Sequence, residues 1–483
     1  MKLIGTVAIC LVLAITPSGY VKTAPIASPL QVSPKNSRYF TDISGRAIYL
    51  TRSHTWSNFK DMGKTDPPKP FDFDGYLNFL RRYNHNFIRL WTWELSKYSY
   101  KGGTMTYAQP FPWSRTGPGK ALDGKPKFDL EKFNQRYFDR LRSRVIAAGN
   151  RRIYVSIMLF EGHGLQASLP PWCWDGHPFN IKNNVNGING DLDGDGRGLE
   201  THTLKNPAIT SLQKAYVKKV IDTVNDLNNV LFEITNESGT YSTKWQYDMI
   251  NFIHEYEKTK PKQHPVGMTF QWSRKFRGSN DDLFKSSADW ISPSSDGGYR
   301  DNPPAADGSK VIISDTDHLW GIGGNCAWVW KSFCRGMNPI FMDPYRPAEK
   351  DAEDKKRPTW TEHLTDKPAL EPRWEPIRKN LGYTLKYANR MNLINMVPRN
   401  DLASTKYCLT NPSVEYIVYL PDGGDVTVDL TAASGRLNVE WLNPRSGKTI
   451  AAPPTKGGKS RHFQAPFQGD AVVYIVSDRK SSK

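Results

Sequence analysis

An α/β chain, a (β/α)8 barrel followed by an antiparallel β-sandwich, is predicted by three observations. Short apolar, β-branched runs alternate with amphipathic stretches. Several of those runs stop abruptly at a His, Glu or Asp, and from about Ala403 the pattern changes to short strands broken by Pro/Gly turns. Barrel strands are buried on both faces and so read as continuous apolar runs, and groups just past their carboxyl ends sit at the barrel mouth. A length of 483 residues accommodates one large domain and a smaller module. The expected divisions are a secretory signal at 1–24, the barrel at 37–398 and the sandwich at 403–480.

The element order supports this division. Met1-Lys2 and the apolar run 3–15 have the charge order of a signal peptide and are too short to span a bilayer, so a secreted protein is expected. Residues 25–36 are rich in Pro and Ser and read as a tether or edge strand. A hairpin over 38–50 then leads into a first barrel strand ending at Ser53-His54-Thr55-Trp56. The next strands are expected at 86–94, 152–161, 230–236, 266–272, 288–292, 310–315 and 338–343. Helical spacing is found at 74–83, 130–148, 212–227, 245–258 and 373–391. Helical support is weakest between strands five and six. Two long excursions, 95–125 and 162–206, exceed ordinary βα loops and read as walls of a site.

Composition narrows the function classes. The chain has 15 Trp, 22 Tyr and 21 Phe against 38% hydrophobic residues overall, and exposed rings of this kind stack on sugars as readily as they pack cores. Its 65 Lys+Arg against 48 Asp+Glu give a formal charge of +17. The basic residues are scattered and carry no nucleic-acid-binding signature, so no nucleic-acid partner is expected. Cys10 lies in the signal. Cys173, Cys326, Cys334 and Cys408 remain; Cys326 and Cys334, which bracket a short Trp-rich loop, are the preferred disulfide in an oxidising compartment, with free buried thiols as the alternative.

Chemistry concentrates at the strand ends. The run 230–236 closes on Asn236-Glu237, and Glu237 is the first choice for a general acid, although an Asn-Glu pair also caps helices. Strand seven ends in Asp315-Thr316-Asp317-His318; Asp315, nearer the strand end, ranks ahead of Asp317 as nucleophile or base, with His318 beside them. Two carboxylates facing each other across a barrel mouth, one protonated and one ionised, are the minimum equipment for cleaving a glycosidic bond. His54, Trp56, Arg89, Trp91, Trp93, Glu94, Glu161, His163, Asn236, Trp272 and His318 are expected to line the cleft, with aromatic rings on sugar faces and carboxylates on hydroxyls. Any one of these Trp residues packs the barrel top equally well. Asp191, Asp193 and Asp195 alternate with glycines like the first half of a calcium loop, but position 12 holds His202 where an EF-hand needs Glu. A structural calcium is therefore a candidate and no other cofactor is required.

The order of these motifs resembles clan-A-type glycoside hydrolases, which carry an acid/base Glu after Asn on strand four and a carboxylate nucleophile on strand seven. Tyr39-Phe40-Thr41-Asp42, Leu50-Thr51-Arg52-Ser53-His54-Thr55-Trp56, Asn86-Phe87-Ile88-Arg89-Leu90-Trp91 and Asp315-Thr316-Asp317-His318 narrow the resemblance to the apiosidase-like catalytic family. Val439-Glu440-Trp441-Leu442-Asn443-Pro444-Arg445-Ser446-Gly447 is similar to the module named for collagen binding. The resemblance implies an oligo- or polysaccharide substrate; a monomer is expected, and no segment after the signal reaches membrane-spanning length. One departure matters: the clan ordinarily presents Glu on strand seven, and here an Asp retracts the carboxylate by about one methylene. Retention is expected, and the carboxylate separation decides it, since roughly 5 Å implies retention and roughly 6.5–9.5 Å inversion. The alternatives are a metal-dependent barrel hydrolase, for which strand one supplies only His54, and a non-catalytic carbohydrate- or matrix-binding protein on a degenerate barrel.

Overall fold

The computed structural model describes residues 25–478 apart from 100, 101, 104, 168–172, 274, 344 and 346–371. The predicted signal segment at 1–24 lies outside the described residues.

Eight parallel strands form a nearly closed ring: β1 (Arg52–His54), β2 (Phe87–Leu90), β3 (Tyr154–Glu161), β4 (Val230–Asn236), β5 (Val266–Thr269), β6 (Trp290–Ser292), β7 (Val311–Asp315) and β8 (Asn338–Met342). β3, β4, β7 and β8 are buried at every position, as their apolar runs require. Ladder hydrogen bonds join β8 to β1 and every consecutive pair from β2 to β8. The β1–β2 joint is made differently, by asparagine side chains. Asn86 Oδ1 accepts from Thr51 N at 3.0 Å and its Nδ2 donates to Tyr49 O at 2.8 Å. Asn58 Nδ2 donates to Arg89 O, and its Oδ1 accepts from Trp91 N, both at 2.7 Å.

Helices pack outside the ring: α1 (Phe73–Arg82), α2 (Gln135–Gly149), α3 (Pro207–Val224), α4 (Thr243–Glu257), α5 (Asn280–Lys285), α6 (Cys326–Cys334) and α7 (Glu375–Arg390). Local chemistry sets their starts. Asp72 caps α1 through Gly75 N, and Asn206 caps α3 ahead of Pro207. The weak helical signal after β5 corresponds to the six-residue α5, held by a Ser279–Asp282 capping box. The predicted helix at 130–148 begins five residues late because Pro126–Phe133 pairs as a strand with Trp113–Lys120. At the bottom of the barrel, Ile26, Leu30 and Phe40 join one apolar cluster with Phe87, Tyr154, Leu231, Trp290, Val311 and Ile340 from the strands.

The predicted Cys326–Cys334 disulfide is overturned. The Trp-rich stretch is helix α6 rather than a loop, and the two cysteines stand at its opposite ends as free thiols. Eight residues of helix rise about 12 Å, whereas a disulfide needs Cα atoms within about 7 Å.

The C-terminal module is a six-stranded antiparallel sheet, ordered Val397–Pro398, Cys408–Asn411, Glu415–Leu420, Ala471–Ser477, Arg436–Leu442 and Thr449–Lys456. It packs with a two-stranded sheet, Asp425–Asp429 with Ser460–Gln464. It is fastened to the barrel. Trp330 of α6 stacks on Tyr419 at 6.3 Å, Asn380 Nδ2 donates to Pro444 O at 3.0 Å, and Tyr387 OH and Arg390 Nη1 donate to Glu440 at 2.8 and 2.6 Å.

Candidate active site

The chain closes β4 with a forced turn. Glu237 follows Asn236 at φ 50, a left-handed conformation that costs a non-glycine residue roughly 1 kcal/mol or more. Gln166 Nε2 holds the turn by donating to the carbonyls of both Glu237 and Trp272. The β3 end must pass close beside it: a Cβ on Gly162 would lie 2.6 Å from Ser238 Cα, so only glycine fits.

Strand seven delivers two aspartates to different environments. Asp315 ends β7 and is sealed from solvent. One carboxylate oxygen, Oδ1, meets His54 Nε2 at 2.8 Å and Asp317 N at 3.0 Å; the other accepts from Arg89 Nη1 at 3.1 Å. Burial opposes ionisation, but these donors, led by His54, hold its pKa below the ordinary carboxylate range. A single helical turn, Thr316–Leu319, then swings Asp317 back over the mouth, where its side chain keeps 9% exposure.

Asp317, Glu237 and His318 each offer a ligand atom within 4.8 Å of the others. Burial first, then the negative charge of Asp315, pushes Asp317 up to about 7 against the pull of Arg89. Burial, followed by the carboxylates of Asp317 and Glu161, pushes Glu237 well above the usual range. Two acids this close cannot both ionise freely, so the pair retains a proton at neutral pH, and the larger upward push falls on Glu237.

Arg89 of β2 is the keystone beneath them. Nε donates to Glu233 Oε2 at 2.9 Å, Nη2 to Glu233 Oε1 and to Asn236 Oδ1 at 2.7 Å, and Nη1 reaches Asp315 and, at 3.4 Å, Asp317. Asn236 is thereby oriented with its oxygen on Arg89. The β3–β4 register sets Glu161 beside Asn236, where burial, aided by Glu94 and opposed by the backbone N–H groups of Gly164 and His163, pushes Glu161 up to about 8.

The other predicted lining residues divide. Glu94 accepts from His202 Nε2 and from Glu161 N, both at 2.9 Å, and lies 3.5 Å from His177 Nε2. Burial opposes its charge, yet the imidazoles, His202 first, hold it well below the ordinary range. His163 Nε2 stands 3.9 Å from Glu237 Oε2, and its ring leans on the half-buried Trp272 at 5.4 Å. Burial lowers His163 to about 4 and His318 to about 3; His318 Nδ1 meets Ser292 Oγ at 2.8 Å. Trp56, Trp91 and Trp93, expected as sugar platforms, are at most 4% exposed and pack among other rings; Trp91, for example, lies between His54 at 6.1 Å and Trp56 at 6.3 Å. Glu233 was absent from the expected set. Its signal was present in the sequence: a lone charge inside one apolar strand demands a partner, and Arg89 inside another supplies it.

Comparisons with known proteins agree with this architecture. Residues 103–273 match a family model described as "Domain of unknown function (DUF6298)", and residues 395–476 match the "Putative collagen-binding domain of a collagenase". No curated protein matches the chain in sequence. Among solved structures, one named "Glycoside hydrolase" is similar over 94% of this chain and 98% of its own, with TM-score 0.57 at 14% identity. A glycoside hydrolase family 5 protein from Bacteroides vulgatus covers 94% of each chain, with TM-score 0.59 at 14% identity. A second protein from that organism, titled a "putative glycoside hydrolase", covers 93% of this chain and 82% of its own, with TM-score 0.59 at 11% identity. The chain shares the glycoside hydrolase barrel fold with its C-terminal sheets.

Proposed function

We propose that the protein is a secreted, retaining glycoside hydrolase in which Glu237 is the acid/base and Asp317 the nucleophile. The observation that carries the reading is the approach of Glu237 and Asp317 oxygens to within 4.8 Å, in a buried pair that holds a proton at neutral pH. Retaining enzymes place their carboxyls about 5–5.5 Å apart. Asp317 attacks the anomeric carbon as the glycosidic C–O bond breaks, and Glu237 gives its proton to the departing oxygen. Water, deprotonated by the Glu237 carboxylate, then releases the sugar from Asp317. Asp315 is sealed and saturated by donors, which favours a positioning role for it: it fixes Arg89, His54 and the turn that carries Asp317.

The strand-end motifs and the C-terminal strand-turn sequence support placement with the apiosidase-like enzymes, and the N-terminal apolar run supports export. The fastened sandwich supports a bracing role for that module. A second reading draws on the same trio: Glu237, Asp317 and His318 are a metal-compatible donor set, as a metal-dependent barrel hydrolase would need. A screen of aryl glycosides and plant or microbial polysaccharides tests both. Glu237→Gln should lower turnover by about 10²–10⁴-fold on poor leaving groups, with the retained anomer seen first by NMR. Full activity is expected after treatment with 1,10-phenanthroline, a chelator of transition metals. Hydrolysis within about tenfold of wild type in Glu237→Gln, or an inverted first product, defeats the assignment, and loss on chelation favours the metal reading.

A further inference from the structure

The excursion between β3 and α3 carries a second acidic cluster, remote in sequence from the β4 and β7 ends. Asp191, Asp193 and Glu200 each place a carboxylate oxygen within 4.8 Å of the others. Three anions at this spacing repel one another unless a cation or protons intervene. Asp191 Oδ2 accepts from Gly196 N at 3.0 Å, whereas its Oδ1 is buried without a protein donor among the described residues. Glu200 is 8% exposed, and its Oε2 is likewise buried without a donor. Among the described residues these two buried acceptor atoms have no hydrogen-bond donor, an arrangement that is unfavourable unless something binds them.

We propose that this loop binds one Ca²⁺ through Asp191, Asp193 and Glu200. Carboxylate oxygens alone suit a hard cation, and calcium accepts the irregular, carbonyl- and water-completed shells that such loops supply. The assignment differs from the sequence expectation at one position. Asp195 is exposed and spends Oδ1 on Arg197 N at 2.8 Å, while Glu200, the tenth residue counted from Asp191, turns inward at the start of the short helix Leu199–His202. The ion then has a structural consequence. Two residues after Glu200, His202 places Nε2 2.9 Å from Glu94 and Nδ1 3.2 Å from Ser238 Oγ, the neighbour of Glu237. Calcium fixes the segment that delivers this imidazole.

Binding can be read on the whole protein without any substrate. Trp174 packs directly on Gly198, so Tb³⁺ in the loop should show tryptophan-sensitised emission that Ca²⁺ displaces, and calorimetry with Ca²⁺ should give one site. Glu200→Gln and Asp191→Asn should each weaken binding by about tenfold or more, while Asp195→Asn stays within about threefold. Calcium should raise the melting temperature of the wild type and not that of Glu200→Gln. If circular dichroism shows Glu200→Gln unfolded, Asp193→Asn is read in its place. Absence of a calorimetric site, wild-type affinity in Glu200→Gln or Asp191→Asn, or equal loss in Asp195→Asn overturns the proposal.

Discussion

The barrel mouth holds two carboxylate clusters, and the chain treats them in opposite ways. On the β2–β3 side, Glu94 receives donors from His202 and the Glu161 backbone, with His177 close by, and is held ionised. On the β4–β7 side, Glu237 and Asp317 face one another with few donors and keep a proton between them. An acid whose lone pairs are taken by fixed donors has nothing left to exchange; an acid crowded by other acids has a proton to give. Asp315 and Asp317 repeat the contrast two residues apart, the first clamped and the second poised.

The sharpest way to break the comparison is to neutralise each aspartate of that pair. Asp317→Asn should reduce hydrolysis by roughly 10³-fold or more without lowering the melting temperature. Asp315→Asn should instead cost about 3–5 kcal/mol of unfolding free energy in denaturant titration, because Arg89 and His54 lose their shared buried partner. Reversal of the two outcomes would return Asp315 to the nucleophile's place.

A pH series sharpens it further. Turnover needs Asp317 ionised and Glu237 protonated, so kcat/KM should fall on the acid side below about 7. The raised pKa of Glu237 also means that the folded state holds a proton the unfolded chain releases. Stability should therefore decline as pH rises above the ordinary carboxylate value of about 4.3. Glu237→Gln removes that burden, so it should melt above wild type at pH 8, with the gap closing toward pH 4. Glu94 has the opposite sign: its contribution is present above the unfolded carboxylate value and is lost on acidification. Glu94→Gln should lower the melting temperature at pH 7 and leave kcat within about tenfold. Smallest of all, dithiothreitol should leave the melting temperature unchanged, since the described cysteines are free.

Much of this was legible in the sequence. The apolar runs ending at Asn236-Glu237 and at Asp315 placed both strands, because burial on two faces leaves little room for other residues. What could not be read was which aspartate returns to the mouth. That depends on the single turn Thr316–Leu319, too short to leave a periodic signal. The same limit hid α6, whose Trp-Val-Trp centre looks like an apolar loop until Asn325 is recognised as its cap. It also hid the strands Thr449–Lys456 and Ser460–Gln464, whose exposed, polar and Pro-containing residues carry no apolar alternation. Glu200 was missed because an EF-hand template looks two positions too late.

The asparagine-stitched joint between β1 and β2 makes one corner of the ring a clasp rather than a weld. Asp315 reaches across from β7 and grips one residue on each side of it, His54 and Arg89. Springing the clasp would slacken the grip on Arg89, the guanidinium that draws down the pKa of both Asp317 and Glu237. A looser joint would then leave the pocket acids weaker, and hydrogen exchange at the Thr51 and Trp91 amides would report the loosening.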